Sequence, residues 1–488
     1  MTEPTRRADI SGVHANRSLI VLIAAFTLVG SGLAYLKYSS FAHASGDTSY
    51  YGYAFHQTVK GRWFPISVRD GSVMGNHPNL LALLIVPLFY VAPTLLTLFA
   101  AQSLALSLTA WPIYLLARRV TGNRLTALIA AAAALLFPPI MSGHVAEIHE
   151  DQFGIALCVF AFYFFEVEDL KKFAICIAAA LLSKETVFLN TIFFGVYALI
   201  RRRSWQWVAF PFGWSVAYLL LSVKILMPMW GTLGAQIYSQ AMYFTDFGQT
   251  PREVLTTLAT NPGLVLKTLS SPDRLKYLWE FLRPLLVVLP FLHWSLVVTL
   301  PNIVVNLLSS NTALRVVEWH YGIVMGGQLW CVLILSLPAW NRILSHWFRS
   351  RDYMRWLCMV LLVLAATQYR LWYYPNEYAH NNGHAAEVEA VRLIPREATV
   401  FCPDNMLAHF CDHPKYQSLG GLIFHKRDPN ELFDFDYIVF DFNFIGHEYL
   451  GLQRLYQFIS KHAAYRMVMA KENVLVFHRE GTPERILR

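Results

Sequence analysis

The stretch SLIVLIAAFTLVGSGLAYLKY, residues 18–38, runs into SSFAHASGDTSYY, residues 39–51, and this junction decides the architecture. The first part is apolar throughout and reaches the roughly 20 residues that an α-helix needs to cross a bilayer. It is longer than an ordinary signal-peptide core and no small-residue cleavage site closes it, which predicts a retained span. Arg6, Arg7 and Arg17 precede it. Basic residues stay on the cytoplasmic side, so the N-terminus is inside and the polar segment Gly46-Asp47-Thr48-Ser49-Tyr50-Tyr51 is outside. The first acidic residue beyond the first span is therefore Asp47, in a Gly-Asp-Thr turn.

Composition agrees. The chain has 488 residues, of which 55% are hydrophobic, 15% aromatic and 15% charged. Soluble domains carry about 25% charged residues. Mean hydropathy is +0.38. The net charge of +8 does not point to nucleic acid, because the arginines gather in short loops between apolar runs, as orientation in a bilayer requires. No P-loop, dinucleotide fingerprint, HExxH helix or nucleophile elbow is present.

Counting apolar runs predicts a polytopic helical protein of about eleven spans. After the span 18–38 comes an outer loop, 39–92, whose apolar part Leu80–Ala92 is too short to cross and reads as interfacial or re-entrant. The runs 93–117, 125–141, 153–166, 173–183, 186–200 and 205–226 follow, with an outer loop at 142–152. A long outer loop, 227–277, leads to a down-up pair at 278–292 and 296–309, interrupted by Pro284, Pro290 and Pro301. The runs 320–340 and 355–369 complete the set. Arg118-Arg119, Lys171-Lys172, Arg201-Arg202-Arg203 and Arg342, Arg349 and Arg351 all fall inside under this count, which is its main support. There is no internal repeat of the kind that builds inverted-repeat transporters.

The texture changes after residue 374. Short strand-like runs at Ala398–Cys402, Tyr437–Phe440 and Val474–His478 surround a helix-like stretch, Leu452–Ala463. Residues 375–488 thus read as a small α/β domain, outside the membrane, behind a transmembrane domain of residues 1–374. Cys402 and Cys411 fall close together there, where an oxidising compartment permits a disulfide; two free thiols is the other reading.

Ionisable groups mark the candidate site. Asp47 is either a turn residue or a functional acid. The outer loop 142–152 carries His144, Glu147, His149, Glu150 and Asp151, which read either as a solvated cap or as a site. His144, Glu147 and His149 are permitted ligands for a divalent metal, although their spacing fits no zinc signature. Lys184 and Glu185 interrupt an apolar stretch, where ionisable residues are costly and functional by default; a mutual ion pair is the plainer alternative. His77 is placed to donate to a phosphate or to cap the interfacial helix. His320 and Tyr321 open the tenth run facing outward. Arg283, with Arg274 and Lys276, offers phosphate contacts or interfacial anchoring.

Several of these positions carry a resemblance. Gly75-Asn76-His77-Pro78, Pro87-Leu88-Phe89-Tyr90, Gln102, Pro112 to Arg118, Phe137-Pro138, Ile148-His149-Glu150-Asp151 and Lys184-Glu185 resemble a bacterial family of multi-span membrane proteins of unknown function. That family's pattern has an Asn/Asp-His pair before a Pro-Leu-Tyr helix, a Phe-His-Pro-Glu motif and a Lys-Glu pair. The chain departs at the second motif, where the proline is replaced and the acid is Glu150 or Asp151. The family is in turn similar to the GT-C glycosyltransferases, which keep an acidic residue in the first outer loop.

The resemblance implies a membrane glycosyltransferase moving a sugar from a polyprenyl-phosphate donor to a glycan, lipid or protein acceptor on the outer face of the bacterial inner membrane. Inverting transfer needs a base for the acceptor hydroxyl and positive charge for the departing phosphate. On this reading Asp47 and Glu150 are catalytic. His77, His149, Asp151, Lys184, Glu185, His320, Tyr321 and Arg283 bind substrate, with Lys184 near Asp47. No cofactor is required, and a divalent metal is permitted. A transporter, or a non-catalytic protein that binds lipid or glycan during assembly, is the alternative.

Overall fold

The computed structural model describes residues 17–43, 46–67, 71–231, 243–287, 289–347, 353–368, 384–418, 429–444 and 449–480. Arg6, Arg7, Arg349, Arg351 and the expected boundary at 374/375 lie outside these residues.

The first span is helix α1, Arg17–Ser39. Its few hydroxyls are returned to its own backbone, Thr27 Oγ1 donating to the Ile23 carbonyl at 2.8 Å and Ser31 Oγ to that of Thr27 at 2.6 Å. That satisfies them where lipid offers no partner. Ile20, Val21, Leu28 and Val29 stay exposed on its outer face.

The loop 39–92 departs from the expectation of an open segment. Asp47 is not in a turn: it is the first residue of helix α2, Asp47–Thr58, with Gly46 before it. A 3-10 turn, Leu80–Leu84, and helix α3, Val86–Val91, form the apolar part. Leu84, Leu88, Tyr90 and Val91 are exposed there.

Helices α4, Leu95–Ser107, and α5, Ala110–Thr121, follow. Helix α6, Arg124–Leu135, and helix α7, Pro138–Val145, are bent by 55° against each other. The bend is local chemistry: Phe137 precedes two prolines and is extended, at φ −62° and ψ 131°. Helices α8, Asp151–Glu166, α9, Leu170–Leu181, α10, Phe188–Ile200, and α11, Trp205–Leu221, continue the bundle.

Among the described residues, four helical stretches are long and apolar enough to cross a membrane: Arg17–Ser39, Leu95–Thr121, Trp205–Trp230 and His320–His346; the bent α6–α7 pair makes a fifth if it is one span. The remaining apolar runs fold as shorter pieces. The expected pair 278–292 and 296–309 is built of such pieces. It is a helix to Leu282, 3-10 turns at Arg283–Leu285, Leu289–Leu292 and Trp294–Val298, and a helix Leu300–Leu308. Its three prolines remove the donors and the room a continuous helix needs. The expected loop 227–277 likewise holds helices Pro251–Thr260 and Pro262–Leu269 and the start of Pro272–Leu282. Each begins at a proline, whose missing N–H costs nothing at a first turn.

The C-terminal unit is a five-stranded sheet of β1 Val400–Cys402, β2 Tyr416–Ser418, β3 Tyr437–Asp441, β4 Tyr465–Lys471 and β5 Val474–Arg479, in the order β2-β1-β3-β5-β4. Strand β1 runs parallel to β2 and β3, while β5 is antiparallel to β3 and β4. Helix Tyr449–Ile459 supplies the helical stretch. The sheet shares a core with the loop 39–92 and α4: Phe41, Tyr51, Phe55 and Phe99 are buried in one cluster with Val400, Leu407, Phe410 and Tyr416. Tyr53 Oη donates to the Pro414 carbonyl at 3.0 Å, and Ser67 Oγ to that of Tyr416 at 2.8 Å. His409 stacks on Tyr38 and Phe41, with ring centres 4.1 and 4.0 Å away. Helix α2 is thus wedged between α4 and the sheet. A Cβ on Gly52 would sit 2.8 Å from Leu95 Cδ2 and 2.9 Å from Cys411 Sγ.

Cys402 and Cys411 are both free and buried, so the disulfide is not formed. Cys402 ends strand β1, and the 3-10 segment Asp404–Phe410 carries Cys411 away to the face that meets Gly52.

Candidate active site

Three segments meet at the start of α2. Asp47 and Tyr51 are four residues apart and therefore share one face of the helix. The segment between α7 and α8 brings His149 and Glu150, and Asp151 opens α8. Lys184, extended at φ −166°, stands just before Glu185. Gly154 lets α8 approach that segment closely, since a Cβ there would collide with Ser183 Oγ.

A continuous line of contacts results. Asp47 Oδ2 is 3.4 Å from His149 Nε2. The His149 ring stacks on His320 with centres 3.5 Å apart. His320 Nε2 is 4.0 Å from Asp151 Oδ2, which lies 2.7 Å from Lys184 Nζ. Lys184 is also 3.5 Å from Glu150 Oε2, and Tyr51 donates its hydroxyl to Glu150. His77 Nδ1 pairs with Glu185 Oε1 at 3.0 Å. Tyr321 packs its ring 4.0 Å from that of His320. Arg283 is exposed after helix Pro272–Leu282.

Exposure separates the carboxylates. The Asp47 side chain is 42% exposed, against 5% for Glu150 and 13% for Asp151. Burial pushes the Glu150 carboxyl up, but Lys184, His77, His149 and the Tyr51 hydroxyl outweigh it and hold it down at about 2. Burial disfavours the Lys184 ammonium, yet Asp151, Glu150 and Glu185 raise it well above the usual range. His77 is raised for the same reason, burial being overcome chiefly by Glu185.

Two pairings differ from expectation. Lys184 pairs with Asp151 and Glu150, while Glu185 pairs with His77. The group beside Asp47 is His149 and not Lys184. The suggested metal trio is also spread apart. His144 is fully buried against Gly30, where a Cβ would strike its ring, while Glu147 faces Lys37 and His43. Among the described residues no group of three or more His, Cys, Asp or Glu side chains is arranged to hold a metal ion.

Sequence reasoning missed Tyr51, Lys37 and His43. The first was detectable: once α2 is read as a helix, Tyr51 falls one turn after Asp47. Asp404 was missed too. Its half-buried carboxyl accepts from Ser418, and burial raises it, with Glu147 and Asp47 adding to the effect.

The fold is similar to that of a solved membrane protein, ArnT. ArnT from Cupriavidus metallidurans bound to undecaprenyl phosphate superposes with a TM-score of 0.57 at 14% identity, covering 95% of this chain and 98% of that one. Its apo state gives 0.54 at 13%, covering 94% and 98%. No curated protein matches the sequence. The family model described as "Predicted membrane protein (DUF2079)" matches residues 37–476. On that match across most of its length, the chain belongs to this family of multi-pass membrane proteins.

Proposed function

We propose that the protein is an inverting membrane glycosyltransferase that moves a sugar from a polyprenyl-phosphate donor to an acceptor hydroxyl on the extracytoplasmic face, with Asp47 as base. The observation that carries this reading is the unequal exposure of the carboxylates in an ArnT-like fold: Asp47 alone of the linked acids is open enough to meet an acceptor. As the acceptor oxygen attacks the anomeric carbon, its proton passes to Asp47. The bond from that carbon to the phosphate oxygen breaks, and the phosphate leaves with the electron pair. Lys184 supplies positive charge to this region, and His77, at 21% side-chain exposure the more accessible of the two, adds to it when protonated. Glu150, sealed between Tyr51 and Lys184, acts by holding both in place.

The sheet and α2 share a core, which supports placing residues 375–488 on the same side of the membrane as Asp47. The test is donor consumption by the full chain in vesicles supplied with a panel of polyprenyl-phosphate sugars and candidate glycan, lipid and protein acceptors. Transfer from one donor that depends on Asp47 supports the reading. Solute flux without transfer from any donor assigns the protein to transport.

A further inference from the structure

Glu147 is buried and has no part in the proposed chemistry, yet it is gripped from several sides. Its Oε1 lies 2.7 Å from His43 Nδ1 and 3.8 Å from Lys37 Nζ. Its Oε2 accepts the Thr48 backbone N–H at 3.1 Å. Thr48 answers in kind, its Oγ1 accepting the Ile148 N–H at 3.3 Å. Lys37 Nζ also donates to the Val145 carbonyl at 3.0 Å. The end of α1, the start of α2 and the segment 145–148 are thereby tied at one point.

The position of these ties matters more than their number. Asp47 directly precedes Thr48, and His149 directly follows Ile148. The Thr48–Ile148 hydrogen bond is therefore a rung set one residue behind the 3.4 Å Asp47–His149 approach, and the Thr48–Glu147 bond lies beside it. A first-turn N–H has no partner within its helix. Most helices satisfy such donors with a side chain a few residues away. Here the acceptor comes from 99 residues along the chain, so it fixes where α2 begins relative to the His149 segment.

We infer that Glu147 and Thr48 are positioning residues that set the distance between Asp47 and His149, an inference that rests on Asp47 being the base. Neither touches substrate. Lys37 and His43 anchor Glu147 to the first span, and the reciprocal hydrogen bonds carry that anchorage to the reacting carboxylate.

The test uses the full chain in vesicles with Thr48→Val, Thr48→Ser and Glu147→Ala. Valine keeps the shape and removes the acceptor; serine restores it. Thr48→Val should lower turnover about tenfold with donor KM changed by less than about twofold, since misplacing a reacting group by a fraction of an ångström acts on the chemical step. Thr48→Ser should recover turnover, which a loss of packing alone would not predict. Amide deuterium exchange should quicken at Ile148 in Thr48→Val and at Thr48 in Glu147→Ala, with helix Ile323–Trp347 unchanged. Wild-type turnover in Thr48→Val, in a preparation where Asp47→Asn is inactive, overturns the positioning role and leaves the base reading intact. Full activity in Asp47→Asn overturns the base reading instead. In that case unchanged exchange at Ile148 in Thr48→Val removes the clamp as well. Glu147→Ala is dispensable to the test if it does not fold.

Discussion

Lys184 Nζ lies 2.7 Å from Asp151 Oδ2, and it joins the start of α8 to the segment after α9 with both side chains largely sealed from solvent. Removing one partner of a buried pair leaves the other charge uncompensated, at about 3–5 kcal/mol. Lys184→Met should therefore lower the melting temperature of the purified protein sharply, because Asp151 and Glu150 both lose their counter-charge. The double variant Lys184→Met/Asp151→Leu should recover part of that loss. Differential scanning fluorimetry in detergent measures both.

Asp47→Asn keeps the shape of the side chain and removes its basicity. Turnover in vesicles should fall roughly 10²-fold or more, while binding of the polyprenyl-phosphate donor persists. Glu150→Gln should behave differently, losing stability together with turnover, because Glu150 is buried against Tyr51 and Lys184.

The His77–Glu185 pair gives a pH dependence with a definite sign. A raised imidazole contributes stability that is complete below its unfolded value and is lost as pH rises through its folded value. The melting temperature should decline as pH rises beyond about 6.5, and His77→Gln should flatten that slope. Glu150 acts at the acid end with the opposite sign. Its stabilisation is present above the ordinary carboxylate range and fades as pH falls towards about 2.

Both C-terminal thiols are free and buried. Native protein should resist alkylation at Cys402 and Cys411, and protein denatured without reductant should label at both. Protection that persists in denaturant until reductant is added would show a bond.

Those shielded thiols make a single introduced cysteine informative. Glu472 and Asn473 have φ of 47° and 66° and turn the exposed hairpin between β4 and β5. A cysteine replacing Glu472 should react with a membrane-impermeant maleimide added to intact spheroplasts. Reaction only after lysis would place the sheet in the cytoplasm.

The first span, three of the five strands and the helix before β4 were legible because each carries its own periodicity. Strand β2 was not, being three residues long with no alternation, and β4 is mostly exposed and bulged at Met467–Met469. Asp47, His149, Glu150 and Lys184 stood out as ionisable residues beside apolar runs. Their pairing did not, because Lys184 reaches back 33 residues to Asp151 while Glu185 reaches 108 to His77. Charge type is local information, whereas partnership depends on how α8 and α9 pack. The helical nature of α2 was hidden by Gly46, which reads as a turn signal and serves as the residue before the helix.

The shared core of α2 and the sheet sets a timetable for synthesis. Tyr53 precedes its partner Pro414 by 361 residues, and Ser67 precedes Tyr416 by 349. At about 5–20 residues per second, the ribosome delivers the second half of this core roughly 20 to 70 s after the first. Throughout that interval the face of α2 around Gly52 has no sheet to lie against. The carboxylate at its tip gains its final setting only when nearly the whole chain has been made. A nonsense codon anywhere in the last strands would leave the spans inserted and the core around α2 unfinished, a product for the cell's proteases to remove.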